Sequence, residues 1–189
     1  MRGIPISLRR GVSYCLLQFK TPLELETQVA TILSETALPP HLLELELTES
    51  ALMQVSREHN DVLLRLRKAG LRIAIDDFGS GYSSLAMLHK FPLDTIKIDR
   101  SFMRGIVGTA QDTGLADAII AMGKSLSLTV VAQGVETKEQ AEHLRLHECN
   151  ELQGFYFKRP LPADEFTRLL HNQAPDITYS GMRLDLKPV

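Results

Sequence analysis

The chain has 189 residues, of which 44% are hydrophobic and 23% charged, the make-up of one ordinary soluble globular domain. A formal net charge of −2 and the lack of a long basic stripe exclude an electrostatic case for nucleic-acid binding. No apolar run reaches the ~18 residues of a membrane span, and the opening MRGIPISLRR has no signal-peptide core. The two cysteines, Cys15 and Cys149, fit a reducing compartment better than a disulfide scaffold, so a cytoplasmic location is the default.

An apolar run at 12–17 has strand length, and 23–33 has helical spacing broken by Ala37-Leu38-Pro39-Pro40. Residues 43–49 alternate with period two and read as a strand. Residues 56–69 read as a helix with Gly70 where a C-cap belongs. A strand follows at 71–77, a short helix at 83–89 and a strand at 95–99. Helices at 113–126, 138–147 and 163–171 alternate with strands at 128–132 and 152–157, and the tail from Ala174 carries no strong signal.

Alternating strands and helices mean a parallel sheet with right-handed crossovers. An open doubly wound sheet would show a glycine-rich phosphate fingerprint after its first strand, and none is present. A (β/α)8 barrel instead places its chemistry at the C-terminal ends of several strands. The polar residues fall there. The expected fold class is therefore α/β, of (β/α)8 TIM-barrel type.

Glu46 and Thr48 share one face of their strand, opposite Leu45 and Leu47. Asp76 and Asp77 end the next strand, Lys97 and Asp99 lie on the third, Gln133 and Glu136 follow the fourth, and Gln153 lies on the fifth. On a barrel these side chains converge on one mouth. Carboxylates crowded in one cavity repel unless cations share the space. Oxygen-only ligation favours Mg²⁺ or Mn²⁺ over zinc. Two such ions about 4 Å apart are a common apparatus for phosphodiester hydrolysis. Any single strand-end acid is more often a helix cap or a surface group; Asp77, for one, is placed to cap the helix that follows. Repetition on five strands favours a site.

Three lesser signals stand beside it. The Asp-Phe-Gly at 77–79 lacks the other protein-kinase motifs. His143 and His147 stand one helical turn apart but without a zincin motif, so an exposed helix face is their default reading. Gly79-Ser80-Gly81 after two acids reads as an active-site loop.

In order and spacing, Leu43-Glu44-Leu45-Glu46-Leu47-Thr48-Glu49-Ser50, Asp76-Asp77-Phe78-Gly79-Ser80-Gly81, Lys97-Ile98-Asp99-Arg100, Val131-Ala132-Gln133-Gly134-Val135-Glu136-Thr137 and Gln153-Gly154 resemble the EAL domain family over about residues 12–172. That resemblance implies hydrolysis of cyclic di-GMP to linear pGpG on a modified (β/α)8 barrel with two Mg²⁺ or Mn²⁺ ions. It implies that Glu46 is a ligand of the first metal, Asp76 the bridging carboxylate and Asp77 a ligand of the second. Lys97 would hold the catalytic water or phosphate, and Glu49 would steady the loop after Asp77. Asp99, Glu136 and Gln153 would support the site or touch substrate.

The chain also departs from that pattern. It has no Glu-Ala-Leu tripeptide, and only eleven residues precede Val12. The expectation is an incomplete barrel of about six βα units with the first two missing: a remnant at 1–11, the partial domain at 12–172 and a tail at 173–189. Against the pattern that the resemblance implies, Ser13 stands in place of an asparagine metal ligand, and Gln133 in place of a glutamate that serves as general base or second-metal ligand. An amide takes no proton at neutral pH, and loss of a general base typically costs ~10²–10⁴ in rate. The combined expectation is a catalytically impaired module that binds cyclic di-GMP or another protein, with open sheet edges that favour self-association. An active phosphodiesterase completed by upstream strands and a non-functional remnant remain the alternatives.

Overall fold

The structure, a computed structural model, describes residues 11–12, 22–81, 88–106, 110–172, 178–179 and 182–183. The chain divides into two compact units: Arg9–Asp99 with Ala121–Val130, and Met1–Leu8 with Arg100–Ile120 and Val131–Val189.

In the first unit the described elements run β1 (Gly11–Val12), α1 (Pro22–Thr36), β2 (Glu44–Thr48), α2 (Glu49–Leu52), α3 (Arg57–Lys68), β3 (Arg72–Phe78) and β4 (Thr95–Ile98). The strands are parallel and lie in chain order, β1-β2-β3-β4. Leu45, Leu47, Ile73, Ile75, Ile96 and Ile98 are at most 2% exposed, as expected of a parallel sheet covered on both faces.

Helix α3 shows how local sequence sets these boundaries. The Ser56 hydroxyl accepts from the His59 amide and caps the N-terminus. Val62, Leu63 and Leu66 form the buried stripe, while Arg65, Arg67 and Lys68 answer the negative end of the helix dipole. Gly70, at φ +105°, ends the helix: its amide donates to Arg67 O and that of Leu71 to Leu66 O, a Schellman closure. Leu71 thereby enters the core at the foot of β3.

The second unit holds α5 (Lys138–Leu146), β6 (Glu151–Gln153) and α6 (Ala163–Asn172), with the hairpin strands β7 (Thr178–Tyr179) and β8 (Met182–Arg183). Helix α4 (Ala110–Ser125) and strand β5 (Thr129–Gln133) are each divided by the border between the units. Strand β5 pairs parallel with β6, Gln133 standing opposite Gln153.

Several expected boundaries shift. The strand expected at 152–157 stops at Gln153, and the next residue, Gly154, lies so close to the Val135 backbone that a Cβ there would overlap it. From Gly154 the chain turns, its carbonyl accepting from Phe157 N. Within the tail, where no element was expected, β7 and β8 pair antiparallel, Thr178 opposite Arg183 and Tyr179 opposite Met182. Of the strand expected at 12–17 only Val12, within β1, is described, and most of the helix expected at 83–89 also lies outside the described residues. No helix among the described residues is long and apolar enough to cross a membrane.

Candidate functional site

Register stacks the polar residues of β2, β3 and β4 into rungs. Glu44 stands opposite Arg72, Glu46 opposite Ala74, and Thr48 opposite Asp76, while Ala74 also faces Thr95. Side chains reach from one rung to the next. Glu44 Oε2 accepts from Thr95 Oγ1 at 2.9 Å and lies 3.7 Å from Arg72 Nε on its own rung. Arg72 Nη2 donates to Thr129 Oγ1 at 3.3 Å. The Lys97 ammonium donates to Glu46 Oε1, with both residues buried. Burial of these charges is tolerable because each meets a partner. Glu44, Arg72 and Thr95 were not among the residues expected to form the site. For Glu44 the signal was its alternation, with Glu46, against buried leucines; Arg72 and Thr95 carry no such local signal.

Asp76 and Asp77 form a bulge. Ile75 pairs with Ile96 and Phe78 with Ile98, so two residues of β3 oppose the single Lys97 of β4. Asp77 takes φ +52°, the left-handed region that aspartate tolerates better than most residues, and is exposed. Asp76 is half-buried, and its Oδ1 is buried with no hydrogen-bond partner. A sequestered carboxylate oxygen without a donor is costly, which is a standing demand for positive charge.

The loop after the bulge is tied to α2. Thr48 caps α2 through its hydroxyl, which places Glu49 at the first helical position. The Glu49 carboxylate is 3% exposed, and its Oε2 accepts from the amides of Gly79 at 2.9 Å and Gly81 at 3.1 Å. A Cβ at Gly81 would stand 2.9 Å from Glu49 Oε1, so a larger residue there would push the carboxylate off the loop amides. Asp99 is half-buried, and its amide donates to Phe78 O past the bulge.

In the second unit Gln133 is half-buried and Gln153 exposed. Val135 N donates to Gln153 O, and Tyr156 N to Val135 O, so backbone bonds hold these strand ends together. Glu136 is exposed; its amide, with that of Thr137, donates to Gln140 Oε1 at 2.7 and 3.1 Å. Thr137 accepts from Gln140 N, completing a capping box, and Gln140 Nε2 reaches Met103 O at 2.9 Å. Ser13 lies outside the described residues.

The fold thus brings Glu46 onto Lys97, sets the Asp76–Asp77 bulge opposite Lys97, and sets Glu49 under the glycine loop. The donors on β2 and β3 are carboxylate oxygens, and one of them lacks any partner. That set fits a hard divalent cation.

Parallel strands alternating with helices, with acids at strand ends, define the class: an incomplete TIM-barrel-like α/β fold. The family model for the EAL domain matches residues 15–160, and the chain belongs to that family. Over 144 residues it is 47% identical to the Pseudomonas aeruginosa protein named cyclic di-GMP phosphodiesterase NbdA, covering 75% of this chain and 18% of that protein. It is 46% identical over 160 residues to a Caulobacter vibrioides protein described as an uncharacterized signaling protein, covering 85% of this chain and 20% of that one. The chain spans about a fifth of the length of these curated relatives. Among solved structures it is similar to the PaMucR phosphodiesterase in complex with c-di-GMP, with a TM-score of 0.77 and 40% identity over 82% of this chain and 63% of that one. The manganese/cy-diGMP complex of BlrP1 from Klebsiella pneumoniae gives a TM-score of 0.71 and 32% identity over 81% of this chain and 40% of that one.

Proposed function

We propose that this EAL domain binds cyclic di-GMP with the help of divalent cations and hydrolyses it slowly or not at all. The observation that carries the cation half of this reading is the buried, unpartnered Oδ1 of Asp76 beside a Lys97–Glu46 pair. The ligand half is supported by relatives solved with cyclic di-GMP, in calcium and manganese complexes among others.

Glu46, Asp76 and Asp77 are the residues that would hold the cations, Ser13 standing where the family's asparagine ligand stands. When bound, Mg²⁺ or Mn²⁺ supplies Lewis-acid polarisation of a phosphodiester. Lys97 brings a buried ammonium to within reach of a phosphate or its attacking water. Glu49 fixes the backbone of the loop after Asp77 through two amide bonds, so that loop is set before ligand arrives. Asp99, Glu136 and Gln153 are assigned supporting or ligand-contacting roles.

Turnover is where the chain falls short in this reading. Gln133 presents an amide where the family has a general base, and an amide cannot accept the proton of an attacking water. Ser13 offers a hydroxyl, a shorter and weaker donor to a hard cation. Loss of the base leaves binding in place, because binding draws on backbone order and on cations held by carboxylates rather than on proton transfer. The weaker Ser13 donor lowers cation occupancy without removing the carboxylate ligands.

Calorimetry with cyclic di-GMP in the presence of Ca²⁺, followed by a pGpG assay with Mn²⁺, tests both halves. The expected result is saturable heat with turnover far below about 1 s⁻¹, the low end of the usual enzyme range. Absence of heat overturns the binding half. Turnover near 1 s⁻¹ or above overturns the impaired half and favours an active phosphodiesterase.

A further inference from the structure

His143 and His147 read from the sequence as one exposed turn of helix. The fold adds a third donor from another helix. Asp117, on α4, places Oδ1 2.8 Å from His143 Nε2 and Oδ2 3.4 Å from His147 Nε2. Candidate donor atoms of the three side chains all lie within 4.8 Å of one another. The two imidazoles stack with centroids 4.2 Å apart and planes 27° apart.

Hydrogen-bond bookkeeping makes this trio more than a surface cluster. His147 Nδ1 lies 3.0 Å from the His143 carbonyl oxygen. A carbonyl only accepts, so Nδ1 carries the hydrogen and donates. Nε2 of that ring then presents a lone pair toward the Asp117 carboxylate, which also only accepts. A ring lone pair and a carboxylate oxygen facing each other at 3.4 Å form a gap that a cation would fill.

We propose that Asp117, His143 and His147 form a three-donor site for a borderline-soft divalent cation, Zn²⁺ first among them, with a further position open to water. Bonds of about 2.0–2.1 Å in tetrahedral geometry set neighbouring donors roughly 3.3 Å apart. The observed spacings of 2.8 Å to Asp117 Oδ1 and 3.4 Å to Oδ2 lie near that value, and small side-chain rotations would bring both imidazoles onto a cation held by one carboxylate oxygen. Imidazole nitrogen selects zinc over magnesium, so this site differs in metal class from the all-oxygen set around Asp76. The Nδ1–carbonyl bond of His147 is the outer-shell support that fixes ring and tautomer at zinc sites. His147 also caps the C-terminus of α5, where the helix dipole favours a cation. Asp117 and His143 are half-buried and His147 is exposed, which leaves an entry path.

The test is equilibrium dialysis of the full chain against Zn²⁺ with excess Mg²⁺ present, alongside Co²⁺ absorption as a report on nitrogen ligation. One equivalent is expected on the full chain and equally on Asp76→Asn, which separates this site from the carboxylate set. His147→Ala, Asp117→Asn and the milder His147→Gln should each weaken binding by at least about tenfold, with the fold checked by circular dichroism. Failure of the full chain to retain Zn²⁺ overturns the proposal. So does retention that His147→Ala and His147→Gln leave unchanged, or retention that Asp76→Asn abolishes.

Discussion

Strands β2, β3 and β4 carry charge into the protein interior, and burial forces that charge into partnerships. Glu44 takes Thr95 and Arg72, Glu46 takes Lys97, and Glu49 takes two loop amides. Strands β5 and β6 end instead in the amides of Gln133 and Gln153, half-buried and exposed. The order around them comes from backbone bonds and the Thr137–Gln140 capping box. The difference separates two ways of building a strand end. A buried carboxylate must be answered by charge or donors and so invites cations. An amide is neutral, needs no counter-charge, and neither gives nor takes a proton. In the proposed reading the first region binds and the second limits turnover.

Restoring a carboxylate to the amide region is the sharpest way to break that contrast. Gln133→Glu is expected to raise pGpG formation about 10²–10⁴-fold if the missing base limits the reaction. A rate unchanged in the presence of Mn²⁺ moves the defect elsewhere.

Removing one charge from the acidic region tests whether partnership is what makes its burial tolerable. Lys97→Met leaves Glu46 without its ammonium and should cost about 3–5 kcal/mol in urea denaturation. The double variant Glu46→Leu with Lys97→Met should recover most of that loss. If the single variant costs nothing, the pair is not what balances the buried charge.

The smallest effect belongs to the amide region. Burial pushes the Cys149 thiol up to about 11 in this structure. Raised above a free thiol's value of about 8.5, it contributes stability that is complete below that pH. The contribution is lost as pH rises through about 11. The wild-type chain should therefore lose on the order of 2 kcal/mol relative to Cys149→Ala between about pH 8.5 and 11. Parallel pH profiles of the two would show that burial of this thiol adds no pH dependence.

Much of this was legible in the sequence because period-two alternation shows directly in β2. Asp76-Asp77 was visible as a pair, yet not as a bulge. The clue was a change of phase among the large apolar residues. Ile73 and Ile75 stand at odd positions and Phe78 at an even one, with only the small Ala74 buried on the other face, so one extra residue sits between Ile75 and Phe78. The shortening of β6 was not legible; Gly154 meets Val135 at that point, a contact the chain makes only when folded. The histidine trio was half visible. Asp117 is 26 residues from His143 and on another helix, so no local spacing joins them.

The bulge also divides β3 into two phases of mutational tolerance. Up to Ile75, odd positions require apolar side chains. Beyond Asp77, the requirement passes to Phe78. A one-residue deletion within the Asp-Asp pair would restore plain alternation, leave a regular strand, and keep every apolar residue in the core. The doubled acid is therefore the one place in β3 where a residue can be lost without turning the strand's remaining pattern inside out.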